Sequence, residues 1–403
     1  MALTYRQMAD HALQDLYRKF WDDDGGHMYP VHCGKIVEKP LMIWEMATFL
    51  FAMEMYYDAT GDKETAKRIV STWDYLHKEC FTDEQLSSRF GYEPNLALDD
   101  TGWDIMTYLL AYRFTGDPYP LDLARRCLLG AYDHWKDGSC SNGLWYNDIK
   151  QYGEQWKSSY VVSLLISAVD YLQITGGKGP DDDRLLRETM EIYEWVEKFL
   201  RRDRIITYEN GLQNGSPYTI STIDYLYWTD FNVNRETKPE RNGPDGGAHP
   251  EFITDRGSYS ALFGNMGMAA LNAMLYRTTG DGRAMEKALE TAHSMSKIYC
   301  RNGAYLNDRD PWTNATMLRY YIREVLTRPE ITPAERRMVL TTADNVVHNA
   351  GLFDGVYTSC WQRLPEGSAM PQRNDPEKLM TNATSVSMIC GAALIESMGL
   401  AVD

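Results

Sequence analysis

Apolar residues recur at spacings of three and four along most of the chain, which is the period of helices that bury one face. The pattern predicts about twelve helices, over 4–20, 41–59, 63–79, 99–114, 119–135, 154–174, 181–200, 258–278, 282–298, 312–327, 332–349 and 381–399. Every second one is the more apolar, as in Leu41 to Tyr57 and Tyr259 to Tyr276. These are expected to line an inner ring, with the more charged helices outside. Strand-like alternation is confined to the segment from about Asp203 to Gly257, where Ile205-Ile206-Thr207-Tyr208 and Tyr218-Thr219-Ile220 flank an Asn-Gly turn and predict a small hairpin.

A tripeptide punctuates the helices: Thr60-Gly61-Asp62, Thr115-Gly116-Asp117, Thr175-Gly176-Gly177 and Thr279-Gly280-Asp281, at intervals of 55, 60 and 104 residues. Each follows a helical run with a tyrosine about one turn earlier, Tyr57, Tyr112, Tyr171 and Tyr276. Glycine just past a helix suits the left-handed cap, and aspartate suits the cap of the next helix. A second motif, Asn142-Gly143-Leu144-Trp145-Tyr146-Asn147-Asp148, returns as Asn302-Gly303-Ala304-Tyr305-Leu306-Asn307-Asp308. Repeated helical hairpins without a Pro/Gly/Ser linker predict one all-α domain over 1–403, an (α/α)6 toroid carrying a long loop and hairpin insertion around 203–257, with a plain solenoid or two helical domains as the rivals.

In such an array the more apolar helices all start at one end. That end collects Trp44, Glu45, Asp99, Asp100, Trp103, Trp156, Lys157, Tyr259, Trp312, Asn314 and Asn382, with Trp145, Tyr146, Trp228, Asp230 and Trp361 from preceding loops. Composition gives this weight: 27 Tyr, 11 Trp and 11 Phe make 12% of the 403 residues. Aromatic faces beside carboxylates and amides suit a sugar-binding cleft, although each such ring alone fits equally well as a cap on the core. Among these residues Leu98-Asp99-Asp100-Thr101-Gly102-Trp103 stands out. Two acids at a helix start serve as cap and dipole partner. They also repel, so that one holds its proton while the other ionises, the division of labour of a retaining glycosidase whose carboxyls lie about 5–5.5 Å apart. Thr101 and Gly102, poor helix formers, are expected to leave an irregular start at which both side chains face the cleft. Asp22-Asp23-Asp24 reads as a solvated turn and Asp181-Asp182-Asp183 as a helix start.

These stretches resemble glycoside hydrolase family 76, the α-1,6-mannanases. The resemblance rests on Asp99-Asp100 opening a helix that runs through Trp103 to Ala111-Tyr112-Arg113-Phe114-Thr115-Gly116-Asp117, on Ile43-Trp44 through Tyr56-Tyr57-Asp58-Ala59-Thr60-Gly61-Asp62, and on Gly143-Leu144-Trp145-Tyr146-Asn147 followed by Trp156-Lys157. It implies an (α/α)6 barrel and retaining hydrolysis of an α-1,6-linked mannan backbone, with endo action and no metal or cofactor. By position Asp99 would be the nucleophile and Asp100 the general acid/base. Trp44, Trp103, Trp145, Tyr146, Trp156, Lys157 and Trp312 would bind the sugar. The chain departs from the family pattern where Asp104 follows Trp103 and Ile43 precedes a single Trp44, positions that bear on sugar subsites.

Two other enzyme classes on the same architecture, an unsaturated uronyl hydrolase and a sugar epimerase, find less support: the expected cleft is poor in arginine and shows no histidine pair. A glycan-binding protein without turnover is the alternative outside catalysis. There is no GxSxG, P-loop or GxGxxG motif. A formal charge of −16, from 41 Lys+Arg against 57 Asp+Glu, argues against nucleic acid as a partner and leaves a polysaccharide or oligosaccharide. No run of about 18 uninterrupted apolar residues predicts a membrane span. The seven scattered cysteines suggest neither a disulfide framework nor a zinc site. A monomer is expected, cytoplasmic as the chain stands, or extracellular or periplasmic if a leader has been removed.

Overall fold

The computed structural model describes residues 3–29, 31–32, 35–37, 43–87, 97–136, 143–144, 156–202, 205–208, 220–222, 226–227, 230–232, 262–305, 311–371 and 379–401. The helices among them are α1 (Tyr5–Phe20), α2 (Trp44–Thr60), α3 (Lys63–Tyr75), α4 (Asp83–Ser87), α5 (Leu98–Thr115), α6 (Pro118–Trp135), α7 (Val162–Thr175), α8 (Asp182–Phe199), α9 (Leu262–Thr279), α10 (Gly282–Ile298), α11 (Pro311–Tyr321), α12 (Pro333–Leu352) and α13 (Leu379–Ser397). A π-helical turn continues α3 over Leu76–Cys80 and another continues α11 over Ile322–Leu326.

The tripeptide turns work as expected. Gly61, Gly116, Gly176 and Gly280 all have φ between 65° and 76°, the left-handed conformation that glycine adopts without strain. After three of them an aspartate caps the next helix: Asp62 accepts from the Thr65 N–H at 2.8 Å, Asp117 from Tyr119 at 3.0 Å and Asp281 from Arg283 at 3.0 Å. Where Gly177 replaces that aspartate the loop lengthens. Asp182 then orders it, accepting from the Thr175 hydroxyl at 2.6 Å and the Gly179 N–H at 2.8 Å.

The chain divides into two compact units that interleave in sequence. The first comprises Met1–Thr82, Arg113–Gly116 and Met295–Asp403. Its core helix is α13, buried on nearly every face by α1, α2, α11 and α12. α13 is long and apolar enough to cross a membrane, and 89% of it is buried inside the protein, so its apolarity answers to the core. By contrast α3 buries one stripe, Thr65, Ile69, Thr72 and Trp73, at helical spacing. The Asp22–Asp24 turn links a short antiparallel pair, β1 (Trp21–Asp22) and β2 (His27–Met28), and β3 (Val31–His32) pairs with β4 (Lys35–Ile36). β11 (Cys300–Arg301) and β12 (Ala304–Tyr305) form a further pair about Asn302-Gly303.

The second unit comprises Asp83–Tyr112 and Asp117–Ser294. Here α5, α7 and α9 are the apolar core helices, with α7 packed against α9, and α6 and α8 present one buried face each. Four strand segments of the insertion are described. β7 (Ile205–Tyr208) is the expected first strand of the hairpin, but it pairs with β8 (Ile220–Thr222), two residues beyond the expected 218–220, and the Asn-Gly turn lies outside the described residues. β9 (Leu226–Tyr227) pairs with β6 (Arg201–Arg202), and β10 (Asp230–Asn232) pairs with β5 (Trp156–Ser158). The last pairing corrects one expectation. The helix anticipated from residue 154 starts with a 3-10 turn at Ser159–Val161 and becomes α-helical only at Val162, because 156–158 is held extended by β10. Tyr227 is buried with its backbone N–H donating to Asn265 at 2.8 Å and its hydroxyl bonded to Glu197; burial beside that carboxylate holds the phenol well above its ordinary range.

The tryptophans also depart from expectation. Of the seven whose side chains are described, Trp73, Trp103, Trp135, Trp195 and Trp361 are buried, leaving Trp21 and Trp44 half-buried. Trp361, expected beside the cleft, lies in the core with its indole N–H toward Ser385 at 3.4 Å. Asn382 is equally buried and accepts from the Tyr357 N–H at 3.2 Å.

Candidate active site

Asp99 and Asp100 lie in the first turn of α5. The backbone is helical there from the outset, with the Thr101 N–H donating to Ala97 at 3.2 Å, so the irregular start expected from Thr101 and Gly102 does not form. Unsatisfied N–H groups and the positive end of the helix dipole favour negative charge at this position. Adjacent helical residues diverge by about 100°, so the two carboxyls take different surroundings. Asp99 shares a stripe with Gly102 and Trp103 and is 7% exposed, whereas Asp100 is half-buried.

Gly102 has a packing role. A Cβ at this position would stand 2.4 Å from the Ser163 Cβ, 2.6 Å from the Ser163 carbonyl carbon and 2.8 Å from the Leu164 nitrogen. Only hydrogen fits between α5 and α7. The buried Ser167 hydroxyl reinforces this seam, shared between the Gly102 carbonyl at 2.9 Å and the Ser163 carbonyl at 2.7 Å. One turn nearer its start, α7 is fixed by a serine cap: Ser158 accepts from the Tyr160 N–H at 3.2 Å, while its backbone pairs with Asp230. α9 comes close at Gly264, where a Cβ would lie 3.1 Å from the Ser159 hydroxyl.

Three rings gather where these helices begin. Trp103 is 1% exposed and meets Phe263 edge-on at 6.2 Å, and Phe263 in turn meets Tyr160 at 5.2 Å with a 46° tilt. Trp103, expected to be a stacking platform, is thus packed in the core, one turn along α5 from Asp99. Trp156 and Lys157 fall on β5, which leads directly into the start of α7. Trp145 and Tyr146 lie outside the described residues. Trp44 opens α2 and is half-buried, and Trp312 lies in the first turn of α11; both belong to the first unit. Tyr160 was not among the sequence candidates. The signal that could have found it is Ser158-Ser159 ahead of an apolar run, a helix-start signature that puts Tyr160 in the first turn. Among the described residues no group of three His, Cys, Asp or Glu side chains is arranged to hold a metal ion.

No family model and no curated protein matches the chain. Solved structures do. An α-1,6-mannanase of glycoside hydrolase family 76 from Salegentibacter sp. HEL1_6 is 18% identical, with 97% of this chain and 99% of that chain covered and a TM-score of 0.68. An inactive variant of that enzyme, with two consecutive aspartates changed to asparagine, was solved with α-1,6-mannotriose and matches at 16% identity over 97% and 99% of the two chains, with a TM-score of 0.68. A family 76 glycoside hydrolase from a bovine Bacteroides thetaiotaomicron strain is 13% identical over 98% of this chain and 78% of that one, with a TM-score of 0.69. The chain has the all-α, (α/α)6 fold of these proteins.

Proposed function

We propose that this protein is a glycoside hydrolase of family 76, a retaining enzyme that cuts the α-1,6-linked backbone of mannan from within. The observation that carries the reading is the Asp99-Asp100 pair in the first turn of an apolar core helix, in a fold shared along nearly the whole chain with α-1,6-mannanases. The inactive relative with two consecutive aspartates replaced supports giving the chemistry to this pair. In the reaction, the Asp99 carboxylate attacks the anomeric carbon while Asp100 protonates the departing glycosidic oxygen. The glycosyl–Asp99 ester is then hydrolysed by water that Asp100 deprotonates, with net retention. The helix N-terminus supports the ionised partner, and burial shields Asp99, 7% exposed, from most of the solvent. Trp44, Trp145, Tyr146, Trp156, Lys157 and Trp312 are proposed as sugar contacts within a single catalytic domain.

Incubation with debranched α-1,6-mannan, with the anomer of the new reducing ends followed by NMR, tests this. Short α-configured oligosaccharides are expected from the wild type. Asp100→Asn is expected to lose on the order of 10³-fold in turnover, as for removal of a general acid, and Asp99→Asn at least as much. Full activity in both variants overturns the assignment.

A further inference from the structure

The aromatic cluster at the starts of α5, α7 and α9 contains one ring that the catalytic reading leaves unused. Trp103 and Phe263 are buried, whereas Tyr160, which packs on Phe263, is half-buried. Two chains of contacts link it to the first two turns of α5, which carry the carboxylate pair. Along the first, Asp99 shares its helical stripe with Trp103, Trp103 packs on Phe263, and Phe263 packs on Tyr160. Along the second, Tyr160 lies one turn before Ser163, which touches α5 at Gly102, itself one turn after Asp99. Resting on the proposed hydrolase reading, we propose that Tyr160 is a sugar-contacting residue of the Asp99-Asp100 site, its ring the platform for a hexopyranose bound next to the pair.

The surroundings of Tyr160 suit that task. Phe263 packs against the ring at 5.2 Å, and the Ser158 cap fixes its backbone, so little freedom is lost when a ligand settles on it. Gly264 lets α9 approach the same turn closely enough for this packing. A tyrosine face receives the C–H groups of a pyranose, and the phenol edge can meet its hydroxyls. This transfers the stacking role expected of Trp103, which is enclosed, to a ring that is half-buried.

The test is steady-state kinetics on linear α-1,6-mannotetraose with Tyr160→Phe, Tyr160→Ala and Tyr160→Leu, the last keeping apolar bulk against Phe263 without an aromatic face. KM is expected to rise about tenfold in Tyr160→Ala and Tyr160→Leu and to stay within about threefold in Tyr160→Phe, with kcat little changed in all three. A purely structural role would lower the melting temperature and leave KM untouched well below it. KM within twofold of wild type in a folded Tyr160→Leu protein overturns the proposal. If wild type leaves mannan uncut, the hydrolase reading fails by itself. Calorimetric binding of the same tetrasaccharide then decides on Tyr160: weaker binding by Tyr160→Leu supports it, and equal affinity, or none in either protein, overturns it.

Discussion

At Gly102 the absence of a side chain decides how closely two helices approach and therefore where the carboxylates one turn away are held. The sequence offers Gly102 as a weak helix former, and that property alone suggests a loosened start to α5. Which of a glycine's two attributes counts, freedom or smallness, depends on what faces it, and Ser163 lies 61 residues away in sequence. Gly102→Ala forces a methyl against the backbone of Ser163 and Leu164, not merely against a mobile side-chain tip. The expected cost is about 3 kcal/mol, the upper part of the overpacking range, seen as a lower denaturant midpoint at unchanged slope. Turnover at temperatures where the variant remains folded should fall as well, because Asp99 moves with the seam. A fully stable Gly102→Ala protein would contradict the close approach. The same logic explains why the tryptophans misled: an indole is as suitable for a core as for a sugar, and only the fold reveals that Trp103 and Trp361 have neighbours on every side.

At the scale of elements, what could be read from the chain was what is locally determined. The helices ending at Thr60, Thr115, Thr175 and Thr279 were legible because the cap chemistry lies within the same few residues. The start of α7 was not legible, because 156–158 is held extended by a partner strand at 230–232. The turn before α10 offers a paired test of the cap argument. Gly280 has φ 76°, where a Cβ is strained even though space is open around it. Gly282 follows the Asp281 cap as the first residue of α10, has ordinary φ and equally open surroundings. Gly280→Ala should therefore destabilise by about 1–2 kcal/mol. Gly282→Ala should stabilise by about 0.4–1 kcal/mol, through the lower entropy of the unfolded chain. Thermal melts of the two variants, two residues apart, should move in opposite directions; movement in the same direction would show that the turn is governed by something other than backbone conformation.

At the scale of the whole molecule, the net charge of −16 implies a broad response to acid, and one buried cluster in the first unit gives it a specific onset. Glu54 of α2 is buried and receives three guanidinium groups: Arg113 at 2.6 Å, Arg323 at 3.0 Å and Arg319, whose own guanidinium lies 3.8 Å from the centre of the Phe51 ring. Asp58, one turn further along α2, is shared between Arg113 and Arg323. Burial by itself would raise the Glu54 pKa, but the three arginines outweigh it and hold the carboxyl well below the usual glutamate range. A carboxyl depressed in the folded state contributes stability that is present above its unfolded pKa of about 4.3 and is lost as pH falls below that value. Glu54→Gln leaves Arg113 and Arg323 facing Asp58 alone and takes the facing carboxylate from Arg319, and breaking a buried pair of this kind costs about 3–5 kcal/mol at neutral pH. The variant should consequently lose less additional stability than wild type as pH falls from about 5 to 3, since the group that protonates has already been removed. Denaturant midpoints measured for both proteins across that interval should converge towards low pH. Parallel curves would mean that Glu54 is not a source of the acid sensitivity, and that its arginines are compensated elsewhere.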